Sequence, residues 1–230
     1  MFFVLGLFLG SFLNVVAERA ARGERWFFSR SRCDSCKHKL SWYDLIPLVS
    51  WAVLRGRCRH CGNKISVRYP LSELAFGISL SLATVWYLTP MYMLYVVSGL
   101  GVLYLSVLTD IYDGTIHDSF TVPFALLFLA VGLVFFSFDF FLASLLGTVA
   151  GALFAFVFYR LRKMGQGDIT LLAFAGSFLG FWGLIRAGVL TSFVAGIVIV
   201  FLLATKKTTL KGHLPLAPFL FAGAVLSFYL

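Results

Sequence analysis

From Leu71 onward the chain is a succession of apolar stretches separated by short polar breaks. No other feature constrains its fold as much. A backbone surrounded by hydrocarbon must satisfy every N–H and C=O internally, so it spans only as helices or as a closed barrel. The stretches run to about 20 residues, the length of a helical span, whereas barrel strands are shorter and alternate apolar with polar residues. Charged residues make up 13% of the chain and apolar ones 60%, against about 25% charged in soluble domains. The expected fold is an all-α polytopic membrane protein of about eight transmembrane helices. Beyond a first span at the N-terminus, spans are expected at 71–88, 92–109, 119–137, 139–159, 169–183, 185–204 and 214–230. The pair within 169–204 also reads as one span plus a re-entrant piece.

Three segments are expected: a first span at 1–18, a polar domain at 19–70, and a membrane domain at 71–230. Met1 to Ala17 is apolar apart from Ser11 and Asn14, and Arg19, Arg22 and Arg25 follow it. A secretory signal carries its positive charge before the apolar core, so this segment reads as a retained span with its N-terminus outside. Arg19 to Pro70 holds all four cysteines and twelve of the nineteen basic residues. Trp26, Phe27, Phe28, Trp42, Tyr43 and Trp51 suggest a small domain lying against the membrane surface, and Leu45 to Leu54 is too short to span.

The net charge of +9 raises nucleic acid as a partner, but its placement points to orientation. With eight alternating spans and the first loop inside, the inner segments are 18–70, 110–118, 160–168 and 205–213. Every basic residue except Arg186 falls in them, as the positive-inside rule requires. Contact with anionic lipid accounts for the charge, and no nucleic acid is needed. The same topology sets Asp110 and Asp168 at one depth, at the cytoplasmic edge.

Cys33, Cys36, Cys58 and Cys61 form two Cys-x-x-Cys pairs. Paired knuckles at this approximate spacing read as a tetrahedral, structural zinc site. A loop this small has little core of its own, so metal would supply its fold. Disulfides are disfavoured by a reducing cytoplasm, and an iron–sulfur cluster gains no other support. His38 and His60 read as bystanders.

An ionised acid beside a membrane span is costly and by default a functional candidate. Asp110 ends the apolar run from Met93, and Asp168 lies within Gly165-Gln166-Gly167-Asp168. Two carboxylates at one depth can share a water and a proton, the minimum equipment of an aspartic protease. Gly165 and Gly167 are expected to let the backbone bend and a substrate strand approach. The plainer alternative is that Asp168 is the N-cap of the next helix.

These residues resemble the type IV prepilin peptidases, or prepilin leader peptidase/N-methyltransferases, over nearly the whole chain. Gly10-Ser11-Phe12-Leu13-Asn14-Val15-Val16 with Arg19 is similar to the family's first-span ending. The paired knuckles, Ile46-Pro47, Leu54 to Cys58, and Ile65 to Leu74 resemble its cytoplasmic domain. Asp110 followed by Asp118, the Gly-x-Gly-Asp ending at Asp168, and Pro215 to Phe219 resemble its membrane motifs, in the family's order. The chain departs from the pattern at Tyr112 and His117, where the family often has an acid and a proline; an acid stands at Asp113 instead. Asp113 and Asp118 then read as solvated loop acids, with Asp118 or Ser119 capping a helix.

The resemblance implies two activities. One is cleavage of prepilin or pseudopilin precursors on the cytoplasmic side of the bacterial inner membrane, with Asp110 and Asp168 catalytic. The other is methylation of the new N-terminal amine from S-adenosylmethionine. No glycine-rich loop after a strand marks a site for that donor, so its binding residues are open, as is the oligomeric state. Glu73 reads either as a contact for the substrate amine or as an interfacial acid near a helix start. The rival class is an ion- or proton-coupled transporter with a zinc-stabilised loop. Both acids at one edge and the lack of an evident inverted repeat speak against it.

Overall fold

The computed structural model describes residues 1–24, 30–85, 89–205 and 215–229. The described residues form eight α-helices and one 3₁₀ turn, with no strand longer than an isolated bridge. The helices are α1 (Phe2–Ala21), α2 (Val49–Val53), α3 (Arg68–Ala83), α4 (Pro90–Asp113), α5 (Asp118–Phe135), α6 (Phe138–Arg160), α7 (Gln166–Ala204) and α8 (Leu216–Ser227). Five of them, α1 and α4 to α7, are long and apolar enough to cross a membrane. The chain is a multi-pass membrane protein. Trp26, Phe27 and Phe28, and most of the inner loop expected at 205–213, lie outside the described residues.

Two compact units divide the chain, Met1–Gly101 and Val102–Leu230, and α4 passes from one into the other. In the first unit α1 and α3 pack antiparallel. Gly6 meets Gly77, and Gly10 meets Glu73 and Phe76. Asn14, 1% exposed, donates to the Gly10 carbonyl at 3.0 Å and to Ser72 Oγ at 2.5 Å. Tyr69 donates to Glu18 at 3.0 Å. The Asn14 amide is therefore satisfied inside the helix pair, as a buried amide must be. The apolar run from Leu45 forms the 3₁₀ turn Trp42–Leu45 and the short α2.

In the second unit α6 packs along α7, α7 against α8, and α5 against both α6 and α7. The sequence places a break near Trp182 to Arg186; the break is at Gly180, with φ 70° and ψ 175°, a conformation open essentially to glycine alone. Trp182 and Arg186 are helical. Gly180 reverses the chain. A straight helix of this length would separate Asp168 from Ile199 by about 46 Å, yet both line one cavity. A Cβ on Gly151 of α6 would meet both the Leu172 carbonyl and the Leu184 side chain. Residues 166–179 and 181–204 are thus antiparallel limbs. Small residues let the α6 and α7 backbones close up, as at membrane helix crossings: a Cβ on Gly147 would stand 2.6 Å from the Gly176 carbonyl oxygen.

The other boundaries shift by about five residues at most, the largest being the end of α3 at Ala83. α4 continues past Asp110 to Asp113, and α3 begins at Arg68 rather than Leu71. Pro70 is tolerated there because the first turn lacks intrahelical N–H partners in any case.

Candidate functional site

Asp110 lies in the last turn of α4, and Asp168 is the third residue of α7. Both line an open cavity of about 600 Å³ in the second unit, with Lys163, Thr191, Ile199 and Phe219 among its walls. The end of α4, the start of α7, the far part of its second limb and the start of α8 all contribute to it. These segments of α4, α7 and α8 thus meet around one cavity.

Each acid has a backbone partner. The Gly165 N–H donates to Asp168 Oδ2 at 2.8 Å, so the side chain reaches back to cap its own helix from the third position rather than standing as its N-cap. Asp110 accepts from the Ala217 N–H and interacts with the charge of Asp168. Among the described residues its Oδ2 is buried without a hydrogen-bond partner, which is rare for a carboxylate oxygen in a structural role. The start of α8 thus belongs to the site through backbone geometry, a contribution that residue types alone do not reveal.

Gly165 and Gly167 differ in their surroundings. Gly165 has φ −77° and ψ 165°, extended backbone that any residue adopts. A Cβ on Gly167 would stand 2.8 Å from Ile116 Cβ, so its role is to admit the loop after α4. That loop is tied down further. Thr170 donates to Asp118 Oδ1 at 2.7 Å and lies 3.0 Å from the Gly167 carbonyl. Asp118, read from sequence as a solvated or capping acid, thereby joins the start of α5 to the start of α7. Asp113 pairs with His117 at 3.1 Å and accepts from the Thr115 N–H at 3.0 Å, an arrangement internal to the loop.

The four cysteines form a separate centre in the first unit. All four Sγ atoms lie within 4.8 Å of one another, with Cys33 and Cys61 at 3.9 Å. A zinc tetrahedron with Zn–S of about 2.3 Å has edges of about 3.8 Å, so the donor set fits that ion. The two knuckles share one fold: Cys33 N–H donates to the His38 carbonyl and Cys58 N–H to the Asn63 carbonyl, and bridges pair Arg32 with Lys39 and Arg57 with Lys64. An internal repeat in the sequence encodes this equivalence. Arg32-Cys33-x-x-Cys36-x-x-Lys39-Leu40-Ser41 recurs as Arg57-Cys58-x-x-Cys61-x-x-Lys64-Ile65-Ser66. The Cys36 N–H directed at its sulfur, chiefly, draws the Cys33 thiol down to about 7. Although the Asn63 N–H favours its thiolate, Cys61 is pushed up to about 11 by desolvation and the neighbouring sulfurs. Four sulfurs this close ionise together only with a cation among them. The His38 and His60 rings lie against each other, centroids 3.5 Å apart, and stand outside the sulfur cluster.

The bacterial peptidase A24 N-terminal domain family matches residues 4–88, and the type IV leader peptidase family matches residues 97–202. A protein of Myxococcus xanthus named prepilin leader peptidase/N-methyltransferase is 38% identical over 89% of this chain and 63% of its own length. Proteins of the same name from Burkholderia pseudomallei and Vibrio cholerae are 33% and 32% identical. Those alignments take in 98% and 100% of this chain and 83% and 95% of the relatives. The chain thus spans less than two thirds of the Myxococcus protein and most of the other two. No solved structure matches. On these matches, the chain belongs to the type IV leader peptidase family.

Proposed function

We propose that the chain is a membrane aspartic endopeptidase that removes the leader of type IV prepilin-like precursors and N-methylates the residue exposed. The observation that carries this reading is the convergence of Asp110 and Asp168, from distant parts of the sequence, on one cavity. Two carboxylates facing one site do not readily ionise together, so the pair titrates as a unit. The ionised member takes a proton from water, and the protonated member donates a hydrogen bond to the scissile carbonyl oxygen. Attack of the water gives a tetrahedral adduct. Its collapse breaks the C–N bond as a proton passes to the leaving amine. Asp113 and Asp118 hold the loop that shapes the cavity and take no part in proton transfer.

The substrates are prepilin or pseudopilin precursors, entering where the helix ends meet. The methyl donor is S-adenosylmethionine, which supplies the methyl group for the amine freed by cleavage. Zinc held by Cys33, Cys36, Cys58 and Cys61 is structural, because four thiolates leave no open coordination position. The protein sits among the lipids of the bacterial inner membrane. Counting α1, α3, α4, α5, α6, the two limbs of α7 and α8 supports eight spans, with 19–70 and the aspartate cavity on the cytoplasmic side. Nothing in the fold or among the relatives favours a transporter.

Cleavage of a synthetic prepilin by the purified protein in detergent tests the main reading. Leader removal is expected, and it should survive brief chelation, since the metal lies outside the aspartate cavity. Absence of leader removal under conditions where the zinc and helices are intact would overturn it. Orientation has its own test, in a cysteine-free background. A cysteine at Arg186 should label with an impermeant thiol reagent in intact cells, and one at Arg162 should not. The reverse pattern would put the cavity on the other side.

A further inference from the structure

Thr191, Ala195 and Ile199, on the second limb of α7, line the same cavity as Asp110 and Asp168. They stand four residues apart, so they share one face of that limb. Eight residues of helix rise about 12 Å, the reach of about four residues of extended peptide. Leu216 and Phe219, at the start of α8, line the cavity beside them. Ala195 is the smallest member of the stripe and has a larger side chain one turn away on either side, which leaves a recess at its position.

The wall around this recess is firmly held. Thr191 is 7% exposed, and its hydroxyl donates to the Phe219 carbonyl at 3.3 Å. Gly223 of α8 lies so close to the same limb that a Cβ there would stand 2.5 Å from the Ala187 carbonyl oxygen. The limb and α8 therefore cannot slide past each other without losing this contact. A surface carried on packed helices keeps its shape better than one carried on loops, and a wall that does not yield discriminates by size. The one hydroxyl of the stripe has already given its proton to Phe219, so the stripe offers a polar side chain no ready donor.

We infer that Ala195 sets the size of the side chain that the site accepts beside the scissile bond. The stripe from Thr191 to Ile199, with Leu216 and Phe219, forms an apolar subsite, and the small residue at its middle leaves room for a large apolar or aromatic group. The inference rests on the leader-peptidase function proposed above. A precursor whose scissile carbonyl lies at the two aspartates must lay its neighbouring side chains along the walls of the same cavity.

The test uses the full-length, zinc-loaded protein in detergent and two pairs of synthetic precursors. One pair carries phenylalanine or alanine immediately after the cut bond, the other immediately before it. The readout is the ratio of kcat/KM for the phenylalanine and alanine members of a pair, a quantity insensitive to the fraction of active protein. Ala195→Leu fills the recess and is expected to lower this ratio about tenfold or more in one pair, the discrimination that a single misfitted methylene produces in an apolar pocket. Ile199→Ala widens the same subsite, should raise the ratio in that pair, and stands in if Ala195→Leu fails to fold. Wild-type ratios in both pairs for both variants would overturn the assignment. So would an equal loss on every precursor in a zinc-loaded, thermally stable Ala195→Leu protein, or a wild type that cleaves only the alanine members. In each of these cases cleavage by the wild type leaves the leader-peptidase reading standing. If the wild type, with zinc and helices intact, cleaves none of the precursors, that reading falls and the subsite falls with it.

Discussion

Asp110→Asn and Asp168→Asn are each expected to lower leader cleavage by about 10²–10⁴-fold, the usual contribution of a positioned acid or base. The double variant should be little worse than either single one, because residues that act as a unit are not additive. Asparagine keeps the size of aspartate and one carbonyl-type oxygen. The Gly165 N–H and the Ala217 N–H therefore keep an acceptor, and the helix starts they belong to should stay in place. What is lost is the ability to hold and pass a proton. Cleavage of a synthetic prepilin, measured with zinc content and thermal stability, separates loss of chemistry from loss of fold. Asp113→Asn should cost far less, since its partners are His117 and the Thr115 N–H within the loop. Substantial cleavage by Asp168→Asn would sink the paired-carboxylate mechanism.

Replacing Cys33 and Cys58 together should remove the metal, about one zinc per chain in the unaltered protein, because each knuckle retains a single thiolate. Structural zinc binding contributes on the order of 10 kcal/mol to small domains that depend on it. The other ties of the segment from Arg32 to Ser66 include Arg22 on Asp34 and the Leu48 N–H on Glu73. Arg59 bonds to Asp44 at 2.9 Å, and Trp51 donates to the Ile65 carbonyl at 3.2 Å. That segment should lose its order while the long helices persist, because hydrocarbon, not metal, enforces their internal hydrogen bonding. Metal analysis, circular dichroism and limited proteolysis check this. Iron with visible absorption bands would replace zinc by a cluster, and zinc retained in the double variant would mean that other residues hold it.

Much of this protein is legible along the chain because a membrane leaves the backbone few choices. Apolar length predicts helices, and α5 and α6 fall within a residue or two of the expected ends. The knuckles were equally legible, since Cys-x-x-Cys is a local geometry and its repeat at Arg32 and Arg57 encodes two copies of it. Asp110 and Asp168 stood out because charge is rare beside such spans. Three things required the tertiary structure. The sequence marks a break near Trp182 to Arg186 but not that the chain turns at Gly180, whose positive φ makes the two limbs. The reason for Gly167 is a neighbour, Ile116, brought there by folding. The Ala217 N–H on Asp110 and the Thr170–Asp118 bond join residues far apart in sequence, and no periodicity or spacing records such contacts. Local backbone physics and solvent set the elements and the costly charges; side-chain packing decided which of those charges share a site.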